Sequence, residues 1–131
     1  MTMTQAELLA DVLGGRHDAE LPWPVRQLVL ARDNWACLCC GKSILGRPYA
    51  IHLRKPWHLG GDTSPENLIT VLAECGERIT LQYDPADRAA GFGVGSSDDP
   101  VSVPVACSTA AGPAKVWLLR DGGRAFEPPR D

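Results

Sequence analysis

A small single-domain α+β fold is predicted by three observations. The length of 131 residues suits one hydrophobic core. The composition, 44% apolar and 22% charged with 13 glycines and 11 prolines, is that of a globular chain rich in turns. Helix patterns gather toward the N-terminal end, and strand patterns dominate the C-terminal end. The expected organisation is an N-terminal helix and linker over residues 1–22, a core over 23–92, and a β-rich extension with a tail over 93–131.

Thr4-Gln5-Ala6-Glu7 has the form of a capping box, in which Thr4 accepts from a backbone N–H and Glu7 reaches back to the cap. The helix it opens carries Leu8, Leu9, Val12 and Leu13 on one face and ends at Gly14-Gly15. Pro22-Trp23-Pro24 opens a second helix, with Val25, Leu28 and Val29 at helical spacing and a stop near Asp33-Asn34. Residues 37–41 form a tight cysteine-bearing turn, and 42–48 a polar loop. The aromatic and β-branched members of 49–54 favour a strand. Residues 55–66 read as a long loop punctuated by Gly60-Gly61 and Ser64-Pro65. Residues 68–72 then form a buried strand, too short and too β-branched for a helix. A short helix is expected over 84–91, a loop over 93–100, and strands over 101–106 and 116–119, the latter turned by Asp121-Gly122-Gly123 toward Ala125-Phe126. Trp23, Trp35 and Trp117 lie beside apolar residues and are expected in the core. Trp57 sits between Pro56 and His58 in a glycine-bounded loop, where burial and a contact role are equally expected.

The five cysteines are an odd number, and three of them crowd into Cys37-Leu38-Cys39-Cys40. That spacing suits a metal site or free thiols in a reducing compartment better than a disulfide framework. Cys107 lies apart and is expected to be a buried strand residue. The start of the chain is polar and acidic, unlike a secretion signal, and no run approaches the roughly 18 apolar residues of a membrane span. The chain is therefore read as cytosolic and unprocessed, with no membrane partner. Over residues 22–60 six basic side chains face one acidic one, leaving +5. The remaining seven basic and fifteen acidic side chains leave −8. An overall basic field for nucleic acid is absent, although the basic middle coincides with the cysteine-bearing segment.

Arg32-Asp33-Asn34-Trp35-Ala36-Cys37-Leu38-Cys39-Cys40-Gly41 leads on to Ile51-His52, Gly60-Gly61, Ser64-Pro65-Glu66-Asn67-Leu68 and Cys75-Gly76. Together these resemble the HNH nuclease family, in the form carried by actinobacteriophages, over residues 23–80. A weaker likeness continues through residues 99–105 and 117–123. The resemblance implies a ββα-metal core, in which a β-hairpin and a following helix grip one catalytic divalent metal beside a structural zinc. It also implies a bacteriophage protein working in the host cytoplasm.

Phosphodiester hydrolysis requires a metal to neutralise charge on the phosphate and a base to activate water. By the resemblance, the first metal ligand falls at His52, the general base at Leu53, the residue orienting that base at Asn67, and the second metal ligand at Gly76. Leucine cannot accept a proton, and glycine has no side chain to ligate with. Loss of the base alone costs on the order of 10²–10⁴ in rate. His52 and Asn67 are thus relics of a catalytic set, and the catalytic metal is doubtful.

The zinc positions map to Cys37, Cys40, Leu72 and Cys75. Leu72 cannot ligate, so the fourth ligand is Cys39, His58 or water; otherwise the three cysteines are small buried side chains in a relic knuckle. A non-catalytic protein that binds a host or phage protein, or DNA, follows as the first expectation. The alternative is a metal-dependent endonuclease or nickase rebuilt around His52, His58 and Glu77, with Glu74 beside the lost ligand. A further alternative is a zinc-knuckle nucleic-acid binder with Arg47, Arg54 and Lys55 on phosphates and Trp57 stacked on a base. A partner seated in the former substrate groove would meet Arg54, Lys55, Trp57 and His58 at the surface. His17 has no nameable partner.

Overall fold

The computed structural model describes residues 21–82, 85–109 and 112–128. The expected N-terminal helix, with its capping box and glycine stop, lies outside them, as do His17 and Asp84. Helix α1 (Trp23–Arg32) starts after Pro22 with Pro24 in its first turn, where a missing N–H costs nothing. It buries Val29, Leu30 and Arg32. It ends at Asp33, and Asn34 and Trp35 then take left-handed backbone, φ +57° and +54°, to reverse the chain. The turn over residues 37–41 closes through Gly41 N–H on the Cys37 carbonyl at 2.7 Å.

Strand β1 (Tyr49–Leu53) pairs antiparallel with β2 (Leu68–Leu72), with His52 opposite Ile69 and Leu53 opposite Leu68. Helix α2 (Ala73–Gln82) follows β2 directly. The long connection between the strands contains two single 3-10 turns, Trp57–Leu59 and Pro65–Asn67. Helix α3 (Pro85–Ala89) precedes a second antiparallel sheet of β3 (Val105–Thr109), β4 (Gly112–Leu118) and β5 (Arg124–Ala125), in the order β3-β4-β5. One apolar cluster joins both sheets, from Leu30, Ile51 and Ile69 to Val105, Val116 and Leu118. The described residues are therefore a mixed α+β assembly around a shared core. The C-terminal sheet is part of that core.

Every residue of β2 is buried. One of its edges pairs with β1, and α1 and the cysteine turn satisfy the other. Asp33 accepts the Thr70 N–H at 2.9 Å, and Leu38 N–H donates to the Thr70 carbonyl at 2.9 Å. Arg32 holds Asp33 in a buried bidentate pair at 2.7 and 2.9 Å and donates to the carbonyls of Pro65 and Leu68.

Three expectations are corrected. Residues 100–102 form a 3-10 turn capped by Asp99, whose carboxylate accepts the Val101 N–H at 3.1 Å, and the strand begins only at Val105. Pro100 and Pro104 lack the N–H groups that a strand through this region needs. The next strand is longer than expected: it begins at Gly112, φ +113°, paired with Thr109. Trp23 and Trp35 are not core residues: they are 55% and 39% exposed. One occupies the first turn of α1 and the other the left-handed reversal that follows it. Leu28 is also 40% exposed, at the rim of α1 against Gly122.

Arg54, just after β1, is 1% exposed. Its guanidinium donates to the carbonyls of Gly91 at 2.7 Å, Glu66 at 2.9 Å, Pro100 at 3.0 Å and Val103. Burial and the neighbouring Arg32 charge lower its pKa to about 10, still charged at neutral pH. Replacing Arg54 with Met strands these carbonyls and is expected to destabilise by about 3–5 kcal/mol. Arg54→Lys should cost nearly as much, since one ammonium cannot span the fork. Denaturant titration checks both, and a loss below about 1 kcal/mol for either would contradict this role.

Candidate functional site

The cysteine turn places Cys37 and Cys40 against Cys75 in the first turn of α2. Their three sulfurs lie within 4.8 Å of one another, and all are free thiols. Tetrahedral zinc with Zn–S near 2.3 Å sets sulfurs about 3.8 Å apart, so a small contraction closes the set on a metal. Backbone hydrogen bonds at Leu72, Cys40 and Cys39 favour the Cys37 thiolate. They are opposed by the neighbouring Cys39 thiol and by burial, which push the thiol up to about 12. Burial, then the proximity of Cys37, push the Cys75 thiol up to about 12 as well. Thiols that crowd one another this way suit a cation that takes them as thiolates. These residues fit a structural metal.

Cys39 lies beside the triad. Arg78 on α2 donates to its sulfur at 3.3 Å. The neighbouring Cys37 thiol, aided by Arg78, draws the Cys39 thiol below its usual range against the effect of burial. Arg78 is fixed in turn by both oxygens of the buried Asp87, each at 2.8 Å. Nothing in the sequence singled out Arg78 or Asp87, because a lone Arg on a helix carries no signal of a sulfur 39 residues away. His58 stands exposed in the turn Trp57–Leu59 and does not join the cysteine set. Cys107 is buried on β3, as expected.

His52 is 8% exposed. Because a carbonyl only accepts, the 3.2 Å contact with Phe92 places the proton on Nε2. Nδ1 is buried without a partner. Burial, opposed by the Phe92 hydrogen bond, lowers the His52 pKa to about 4. The segment over it is the chain's own. Val94 N–H donates to the Arg54 carbonyl at 2.8 Å, Arg54 holds the Gly91 carbonyl, and Phe92 and Val94 are buried. Gly91, φ +83°, passes so close to Pro104 that a Cβ would lie 2.0 Å from its carbonyl oxygen.

Leu53 and Gly76 are buried, Glu74 is exposed and Glu77 half-buried. Among the described residues, His52, His58 and Glu77 do not gather into a metal-ligand cluster, so the rebuilt catalytic set is not assembled. Asn67 is occupied elsewhere. Its Oδ1 accepts the Lys55 N–H at 2.7 Å, and its Nδ2 donates to the carbonyls of Lys55 and Asp62 at 2.9 and 2.7 Å. It clamps the loop between β1 and β2, where a Cβ on Gly61 would lie 1.6 Å from the Lys55 carbonyl oxygen.

The expected surface of Arg54, Lys55, Trp57 and His58 is only partly present. Arg54 is inside the protein, whereas Arg47, Trp57 and His58 are exposed and Lys55 is half-buried. Lys55 borders an open cleft of about 580 Å³ that also carries Asp62, Glu66, Asp98, Asp99 and Arg120. Its ammonium donates to the Asp98 carbonyl at 2.8 Å, and Arg120 pairs with Asp99 at 2.7 Å. Four carboxylates against two cations make this cleft unfavourable for a phosphate backbone. No described helix is long and apolar enough to cross a membrane.

The buried imidazole gives a pH prediction. The unfolded chain protonates His52 near its ordinary 6.5, and the folded chain only near 4. This group's contribution to stability is therefore full above about pH 6.5, falls as pH drops toward 4, and is constant below that. The loss is on the order of 3 kcal/mol. NMR titration of the His52 ring should show no transition between pH 5 and 8. A midpoint near 6.5 would mean that the ring is open to water.

No protein family, curated protein or solved structure matches the chain.

Proposed function

We propose that this chain is a non-catalytic relative of the HNH nucleases, with a ββα-metal core held by zinc, and that it acts by binding a host or phage protein. The observation that carries this reading is the burial of His52 beneath Phe92, with Leu53 beside it in the base position. A hydrolytic metal at His52 would need open coordination positions for water and phosphate. The order β1, long loop, β2, α2 and the three-cysteine cluster beside it support the scaffold. Asn67 supports it as well: the residue type of the catalytic set persists, and the loop clamp accounts for its presence.

A protein partner is favoured over DNA because Arg54 is spent on carbonyls and the cleft at Lys55 is acidic. Large apolar side chains also stand in solvent, namely Trp23, Trp35, Leu45, Trp57 and Phe126. Aromatic residues are the commonest anchors of protein interfaces.

The test is incubation with plasmid and single-stranded DNA in the presence of magnesium, manganese, nickel or zinc. The expected result is no cleavage with any metal, and no salt-sensitive retention of DNA at moderate ionic strength. Metal-dependent cleavage that disappears in His52→Ala would overturn the non-catalytic reading. Salt-sensitive retention without cleavage would replace the protein partner with nucleic acid.

A further inference from the structure

We propose that the open cleft beside the β1–β2 connection binds an arginine side chain of the partner protein, with the carboxylate of Glu66 as its buried anion. This rests on the reading of a protein partner above and names the chemistry that partner presents. The cleft, about 580 Å³, is of a size that takes a small ligand or one long side chain. Glu66 lines it and is only 8% exposed, yet its Oε2 is buried with no hydrogen-bond partner. Such an oxygen has lost its water without gaining a donor, which is costly for a charged group. Arg54 does not relieve it. That guanidinium donates to the main-chain carbonyl of Glu66 and to the carbonyls of Gly91, Pro100 and Val103, not to Oε2. A donor entering from the cleft would.

The rest of the lining selects the sign and the shape of that donor. Asp62, Asp98 and Asp99 stand exposed around the buried Glu66, and with Lys55 and Arg120 they leave the cleft a net charge of −2. Both cations are already engaged, Arg120 with Asp99 at 2.7 Å and the Lys55 ammonium with the Asp98 carbonyl at 2.8 Å. Neither donates to Oε2 of Glu66. Among the described residues, no three carboxylates come close enough together to share one metal ion, so a bare divalent cation does not fit. A guanidinium does. Its five donors lie on a rigid plane, so it can take one carboxylate in two parallel bonds and still donate to another that stands apart. It is also less strongly hydrated than an ammonium, which suits an acceptor as buried as Glu66. The cleft is open to solvent, as entry of a side chain carried on a folded partner requires.

Amide NMR of the full chain, titrated at low salt with a capped heptapeptide that has one central arginine among glycines and serines, tests this. Saturable shifts are expected at the amides of Glu66, Asn67 and Asp98, and they should weaken as salt is added. The same peptide with citrulline, uncharged and nearly equal in shape, should bind about 10-fold more weakly or worse. Glu66→Gln should weaken the arginine peptide by roughly 10- to 100-fold without lowering the melting temperature. Free arginine should bind more weakly than the peptide, because its own carboxylate is repelled by an acidic cleft. No saturable binding of the arginine peptide, equal binding of the citrulline peptide, or an unchanged affinity in Glu66→Gln would each overturn the assignment, and the first two need no variant to fold. Free arginine binding as tightly as the peptide would overturn the protein source and make the ligand a small molecule. The plasmid test stands apart from these outcomes. Cleavage or retention of DNA there overturns the reading of a non-catalytic protein binder, whereas a silent peptide titration without either overturns the cleft assignment alone.

Discussion

The buried guanidinium of Arg54 is the contact on which the rest of the arrangement depends. It leaves the end of β1 and gathers carbonyls from the β1–β2 connection, from the reversal after α3 and from the segment that leads into β3. A charge removed from water must be satisfied in full, and five donors on a rigid plane can do so with carbonyls alone. This makes the position of the segment over His52 a condition of folding. Phe92 lies on the imidazole because Gly91 on one side and Val94 on the other are both bound to Arg54.

The same bonds set what the protein can do. In the proposed HNH-like frame, β1 would present a metal ligand and a base to a substrate groove, and here that face is packed with the chain's own residues. His52 becomes a neutral donor to a carbonyl, Leu53 an apolar core residue, and Asn67 a clamp on a loop too tight for any side chain at Gly61. Each of these side chains has a folding role here. On the far side of the hairpin, the cysteine turn closes the free edge of β2 and brings Cys37 and Cys40 to α2. A metal there would join the cysteine turn to α2.

Much of the fold was legible from residue pattern. Strands β1 and β2, the cysteine turn, α1 and the short α3 follow local rules of β-branching, proline placement and glycine stops. The stretch from Pro100 to Pro104 was misread, because alternating valines suggest a strand while two prolines remove its donors. Trp23 and Trp35 were misplaced because apolar neighbours in sequence do not fix which side of a helix end faces the core. At the site, Cys37 and Cys40 were readable from spacing and Cys75 only through the family resemblance, while the fates of Arg54, Arg78 and Asp87 were not readable. A basic residue after a strand looks like a surface cation until the carbonyls that surround it, 12 to 49 residues away, are known.

The central proposal is that the core is knit by a zinc ion. Metal content answers it most directly, measured by elemental analysis on protein purified without chelator. The account predicts about one zinc per chain. Folded protein with essentially no zinc, and no other metal in its place, would contradict it and leave the three cysteines as ordinary buried thiols.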